Sequence, residues 1–285
     1  MLHSTAKINQ QLTQSDESTS PIEAVIMDWA GTTVDFGSLA PIKGFQKLFA
    51  SYQIAISEEE TRIPMGTEKR EHIRQLLNMA RIKQAWNDLY SRPVTDQDIN
   101  EMYAAFIPMQ KVAISESNTL IPGLLDTLSW LDKNAVKIGA NTGYGEEMID
   151  GLLIAAKQQG YHPQSNVCAT QVTKGRPYPY MCMTNAMQLG VKTLANCVKV
   201  DDTTPGIEEG VNAGMWTIGL SVSGNEVGMS IAQWQQLDET TQHAYRIKAT
   251  QKLQDVGADY VVDSIAHIIP CLQDIEKRLR LGERP

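Results

Sequence analysis

Residues 24–33 read Ala24-Val25-Ile26-Met27-Asp28-Trp29-Ala30-Gly31-Thr32-Thr33. An apolar run passes into an aspartate and then a Gly/Thr-rich loop, the pattern of a buried strand feeding a turn. The pattern returns late in the chain. Ala135 to Gly139, Val198 to Val200, Met215 to Leu220 and Tyr260 to Val262 are predicted strands, with Asn166 to Ala169 as a weaker addition. Helical periodicity lies between them over Glu146 to Gln158, Tyr178 to Leu189 and Pro205 to Ala213. This alternation predicts an α/β fold, a Rossmann-like doubly wound parallel sheet with helices on both faces.

One interval breaks the rhythm. From about Phe36 to Ser117 there is helical periodicity and no convincing strand. Pro41 to Ala50 reads as a helix with the proline at its first position, where a missing N–H does no harm. Ser57 with Glu60 makes a capping box for a short second helix that Pro64 ends. A third runs from Thr67 to Met79, and Thr95 opens a long one through Ile114. Pro122-Gly123 marks the return to the sheet. A structureless stretch this long is foreign to a compact domain. The expected division is therefore a flexible N-terminal tail (1–21), an α/β core (22–36 and 118–285) and an inserted helical cap domain (37–117).

Composition narrows the function. In 285 residues, 42% are hydrophobic, enough for a sizeable core, and the formal charge is −8. An acidic chain is poorly suited to wrapping a nucleic acid or lying on an anionic membrane. The longest apolar runs, such as Leu152 to Ala156, fall far short of the ~20 residues a membrane helix needs. The first 20 residues hold seven Ser/Thr and three Gln and no apolar stretch, unlike a signal peptide. Cys168, Cys182, Cys197 and Cys271 form no CxxC pair and no zinc-type spacing. Scattered free thiols fit a reducing cytoplasm.

In open parallel sheets, ligands bind beyond the carboxyl ends of the strands. Asp28, Asn141-Thr142-Gly143, Lys174-Gly175-Arg176 and Asp201-Asp202-Thr203-Thr204 all fall there. Together they suit a phosphoryl group. Asp28 and Asp202 offer hard oxygens to Mg²⁺, and Asp28 can attack phosphorus to form an aspartyl phosphate. Thr142 and Arg176 can hold phosphoryl oxygens and offset their charge. Each also has a plainer reading. An Asp closing a strand serves as a helix cap or turn former, Thr142 can be part of a turn, and Arg176 a surface cation. The P-loop pattern GxxxxGK[ST] is absent, and no GxGxxG follows a strand.

The order Asp28…Thr142…Arg176…Asp202, with a helical insert after the first strand, resembles the haloacid dehalogenase superfamily. Pro64-Met65-Gly66, Lys69, His72, Thr142-Gly143-Tyr144, Gly175-Arg176-Pro177 and Asn212-Ala213-Gly214 narrow this to the phosphonoacetaldehyde hydrolase family. The resemblance implies hydrolysis of a C–P bond in 2-aminoethylphosphonate degradation, with Mg²⁺, a small phosphonate substrate and a homodimer. It implies that Asp28 is the nucleophile and Lys69 the Schiff-base lysine. Thr142, Arg176 and Met65 would sit at the substrate, and Asp28, the Ala30 backbone oxygen and Asp202 at the metal. Lys69, His72, Ile73 and Leu76 follow helical i, i+3, i+4, i+7 spacing and share a face. A lysine there is either desolvated with a lowered pKa or snorkels to water. His72, one turn on, is a candidate proton relay or a structural histidine.

Two positions depart from the wider superfamily. A second Asp usually follows the nucleophile by two residues and protonates a leaving alcohol; here that position is Ala30. This favours the phosphonate chemistry over the alternative, a Mg²⁺-dependent phosphomonoester phosphatase or phosphomutase. Four residues after Asp202, many members carry another Asp; here it is Gly206.

Overall fold

The computed structural model describes residues 20–285, so the expected N-terminal tail lies almost wholly outside the described residues. Six strands form one sheet in the order β3-β2-β1-β4-β5-β6. They are β1 Ala24–Met27, β2 Lys137–Thr142, β3 Ser165–Cys168, β4 Cys197–Asp201, β5 Trp216–Leu220 and β6 Tyr260–Val262. Every neighbouring pair is parallel. β1, β4 and β5 are buried along their whole length, as strands covered on both faces must be.

Two boundaries differ from the sequence reading in a way that matters. Ala135 adopts a left-handed φ of 56°, which delays β2 until Lys137. The strand then runs on, so Asn141 and Thr142 are its last residues, paired with Val167 and Cys168. Asp201 likewise ends β4 opposite Gly219. Their backbones are fixed by sheet pairing, not by a loop.

Between β1 and β2 stand α1 Leu39–Ser51, α2 Glu58–Arg62, α3 Lys69–Asn78, α4 Ala80–Tyr90, α5 Asp96–Glu116 and α6 Leu124–Lys133. The expected capping box forms on Ser57/Glu60, and Thr95/Asp98 makes another at the start of α5. Pro41 is the third residue of α1, not the first; within the first turn no intrahelical N–H is lost. α3 stops at Asn78 because Met79 is extended (φ −64°, ψ 133°). A separate α4 follows that the sequence reading lacks.

The remaining helices are α7 Glu146–Gln158, α8 Tyr180–Gln188, α9 Thr204–Asn212, α10 Ile231–Gln236, α11 Glu239–Asp255 and α12 Ile269–Arg280. α11 buries only Ala249 and Leu253, so it has almost no apolar stripe to read. No helix among the described residues is long and apolar enough to cross a membrane.

The hydrophobic core is continuous across the insert and the sheet. Phe45, Leu48, Trp86 and Phe106 of the insert join Val25, Met27, Ile149 and Leu152 in one cluster. α5 lies on α7 at this junction, where Tyr103 donates to Glu147 Oε1 at 2.6 Å. Each large apolar side chain buried there contributes roughly 1.5–3 kcal/mol. That packing carries α3 to the carboxyl end of the sheet.

Candidate active site

The strand ends build the floor of the site. Asp28 leaves β1 with its N–H bonded to Val200 O at 3.0 Å. Its Oδ1 accepts from Arg176 Nη2 at 2.7 Å. The Arg176 guanidinium is enclosed by acceptors. Nε donates to Glu209 Oε2 at 2.9 Å, and Nη2 also reaches Asn141 Oδ1 at 2.7 Å. Asp201 Oδ2 lies 3.2 Å from Nη2. Behind it, Lys199 Nζ lies 2.9 Å from Asp201 Oδ2 and donates to Asn141 Oδ1 at 2.6 Å. All of these side chains are buried. Burial alone would drive Arg176 and Lys199 toward neutrality. The carboxylates of Asp201, Asp28 and Glu209 outweigh it for Arg176, and Asp201 and Glu209 do so for Lys199.

The acids respond unequally. Burial pushes Asp28 up to about 6, and the Asp201 carboxylate adds to this while Arg176 pulls it back. Burial and the neighbouring Asp28 and Asp201 hold Asp202 well above the usual carboxylate range. Among the described residues Asp202 has no cation beside it; Oδ1 accepts from the Thr32 hydroxyl at 2.9 Å and Oδ2 from the Asn225 N–H at 2.8 Å. Oxygens of Asp28, Asp201 and Asp202 all lie within 4.8 Å of one another. Three buried carboxylates that share only Arg176 and Lys199 as ion-pair partners among the described residues are a set of hard oxygens that fits a divalent cation. Lys199 and Arg176 meet the charge of Asp201, and Arg176 also meets Asp28 at Oδ1, which leaves Asp202 as the carboxylate of the three with no ion-pair partner among the described residues. Ala30 borders the same cleft.

Asp201 also accounts for Gly206. A Cβ on residue 206 would overlap the Asp201 carboxylate. The acid expected from the start of α9 is absent because one from the end of β4 already fills that space.

The opposite wall comes from the insert. Lys69, His72, Ile73 and Leu76 are buried on one face of α3, as the spacing predicts. Lys69 Nζ lies over two aromatic rings, 5.0 Å from the Tyr144 centroid and 5.9 Å from that of Phe45. Among the described residues no carboxylate comes within ion-pair distance of it. Burial lowers its pKa to about 8, against the partial pull of Asp28. His72 stacks on Phe45 with centroids 3.9 Å apart. Its Nε2 is 2.9 Å from Thr61 O, so that nitrogen carries the proton and Nδ1, buried without a partner among the described residues, is bare. Burial and the Lys69 charge keep the ring neutral.

The walls meet. Arg176 Nη1 donates to Gly66 O at 3.3 Å. Asp28, Ala30, Met65, Lys69, Thr142 and Arg176 line one cleft of about 270 Å³, its open mouth included. Thr142 Oγ1 accepts from Tyr144 N at 3.1 Å. Every residue singled out from the sequence except His72 therefore borders the same space or, for Asp202, its carboxylate floor; His72 stands one layer behind Lys69. Lys199 and Glu209 are absent from the sequence-derived site, and Asn141, Tyr144 and Asp201 stand in it only as neighbours within the motifs, with no role of their own. A lysine inside an apolar strand, Lys199 in Cys197-Val198-Lys199-Val200, is the one signal that pointed to them.

The family model of haloacid dehalogenase-like hydrolases matches residues 22–214. The phosphonoacetaldehyde hydrolase of Hahella chejuensis is 51% identical over 265 residues, 93% of this chain and 90% of that one. The chain belongs to the phosphonoacetaldehyde hydrolase family of haloacid dehalogenase-like hydrolases. The member of this family from Paraburkholderia xenovorans is 43% identical over 264 residues, 93% of this chain and 99% of its own. A crystal structure of a phosphonoacetaldehyde hydrolase-like protein from Oleispira antarctica superposes with a TM-score of 0.92 at 47% identity, covering 94% of this chain and 97% of that one. The β-phosphoglucomutase of Clostridium difficile, 19% identical, matches at a TM-score of 0.64 over 91% of this chain and 99% of its own, a likeness of fold.

Proposed function

We propose that this chain hydrolyses phosphonoacetaldehyde to acetaldehyde and phosphate, with Lys69 and Asp28 working from opposite walls of one cleft. The observation that carries the reading is the pairing, on one cleft, of an amine whose pKa burial lowers to about 8 with the Asp28 carboxylate. A C–P bond cannot break simply by protonating a leaving oxygen, because carbon departs with the electron pair. The neutral Lys69 amine condenses with the aldehyde and expels water to give an imine, which takes up a proton to become an iminium one bond from the carbon that bears phosphorus. Arg176 and Thr142 hold the phosphonate oxygens. Asp28 attacks phosphorus, the C–P bond breaks, and its electron pair neutralises the iminium to give an enamine. Water then hydrolyses the aspartyl phosphate. Protonation of the enamine carbon and addition of water release acetaldehyde and restore the amine. The bare Nδ1 of His72 is the group behind Lys69 that would relay a proton, and Met65 packs beside the amine.

Mg²⁺ suits the site, held by Asp28, Asp202 and the Ala30 carbonyl, and when bound it supplies positive charge to the phosphoryl oxygens. Residues 37–117 serve as a cap whose closure brings α3 over the strand ends and excludes water. Four free cysteines, all buried, support a cytoplasmic setting; the homodimer rests on the family resemblance. The rival is a phosphomonoester phosphatase or phosphomutase, for which Ala30 has no proton to give.

The test is borohydride trapping with phosphonoacetaldehyde, followed by peptide mass mapping. An adduct is expected on Lys69, and none in Lys69→Arg, whose guanidinium forms no imine. Faster phosphate release from small phosphate esters than from phosphonoacetaldehyde would favour the rival.

A further inference from the structure

Arg62, the last residue of α2, has most of its partners on the far side of the cleft. Its Nη1 donates to Gly37 O at 3.2 Å and to Asn225 Oδ1 at 3.2 Å, and Nη2 donates to Gly228 O at 2.9 Å. Asn225 answers by donating from Nδ2 to Arg62 O at 3.4 Å. The other partner is Glu58, one turn back in α2, at 2.6 Å. The side chain is 14% exposed. The receiving loop is shaped around it. Gly228 has a φ of +67°, and a Cβ there would overlap the guanidinium. Gly37 belongs to the linker between β1 and α1, and its N–H is bonded to Ser223 O at 2.7 Å. One guanidinium thus joins the insert to its own linker and to the loop after β5. Asn225, which it grips, also donates its backbone N–H to Asp202 Oδ2 at 2.8 Å.

We propose that Arg62 is a positioning residue that clasps the insert shut over the cleft, with Asn225 tying that closure to the setting of Asp202. The planar fork of five donors suits this task. It satisfies three acceptors on two separate segments, which a lysine ammonium on a single stem cannot reach together. Releasing the insert strands those acceptors and exposes the guanidinium, so the bonds act as a unit. The consequence for catalysis rests on the reading that Lys69 and Asp28 act across this cleft; the clasp itself does not.

The decisive measurement is the rate at which acetic anhydride acetylates Lys69 in the full chain, read by peptide mass mapping, with exposed Lys133 as internal control. Arg62→Ala is expected to speed acetylation of Lys69 about tenfold or more, by raising the population of the open state. Asn225→Ala and Arg62→Lys should each give a smaller rise in the same direction, and Lys133 should not change. In parallel, kcat/KM for phosphonoacetaldehyde should fall in the same order across the three variants. Wild-type labelling of Lys69 in a folded Arg62→Ala protein overturns the clasp. Should Arg62→Ala fail to fold, unchanged labelling in both Asn225→Ala and Arg62→Lys overturns it equally. Labelling needs no turnover, so a protein that opens as expected but releases no phosphate sinks the proposed function and leaves the clasp standing.

Discussion

The two walls of the cleft are equally buried and electrostatically opposite. On the sheet wall Arg176 and Lys199 are surrounded by Asp28, Asp201 and Glu209 and stay charged. On the insert wall Lys69 faces the rings of Phe45 and Tyr144, and its pKa drops to about 8. Desolvation is the largest influence on all three cations. What differs is the company. Carboxylates at contact distance repay the cost of burial, and aromatic faces repay only part of it. A buried cation is therefore held charged on one side of this cleft and pushed toward the neutral amine on the other.

The contrast breaks most sharply at Asp28. Asp28→Ala is expected to lower phosphate release on the order of 10⁴-fold or more, while Lys69 still traps the aldehyde. Phosphate release at the wild-type rate would remove the sheet wall from the chemistry. Arg176→Lys keeps a charge but loses the fork that bonds Asp28, Asn141 and Glu209 at once. A loss of about 10²–10³-fold in kcat/KM is expected, and a variant within twofold of wild type would mean that charge alone is enough.

Lys69→Met sharpens the contrast through stability. The folded pKa of about 8 lies below the ordinary 10.5, so the unfolded chain binds the proton more tightly. The penalty is full below pH 8 and fades as pH rises from 8 to 10.5. Removing the amine should stabilise the protein at pH 7 by up to about 3 kcal/mol, a gain that shrinks toward pH 10.5 in urea denaturation. A variant less stable than wild type at pH 7 would show Lys69 to be an anchor after all. The smallest effect is at Gly206→Ala. Helix propensity favours alanine there by about 1 kcal/mol, yet the new Cβ meets Asp201. A net loss of about 1–3 kcal/mol is expected, read as a lower denaturation midpoint; a gain would mean that Asp201 does not fill that space.

Much of the fold was legible because its signals are local. β1 and β6 keep their expected bounds, α7 runs over the residues its periodicity marks, and the Ser57/Glu60 capping box forms. β2 is displaced because a single left-handed residue, Ala135, sets where pairing begins. α11 was invisible because a helix held by two buried side chains has no apolar stripe. Within the site, Asp28, Thr142, Arg176 and Asp202 were legible as an ordered set at strand ends. Glu209 was not, since an acid inside a helix is ordinary until something charged is found beside it.

By itself the sequence determined the alternation of strands and helices, the acids at the strand ends and the lysine on an apolar helical face, because periodicity and residue type act over a few neighbours. Only the tertiary structure decided which cations keep their protons. That depends on what lies within a few ångströms in space, and residues 69, 144 and 176 are brought to one cleft only when the insert packs on the sheet.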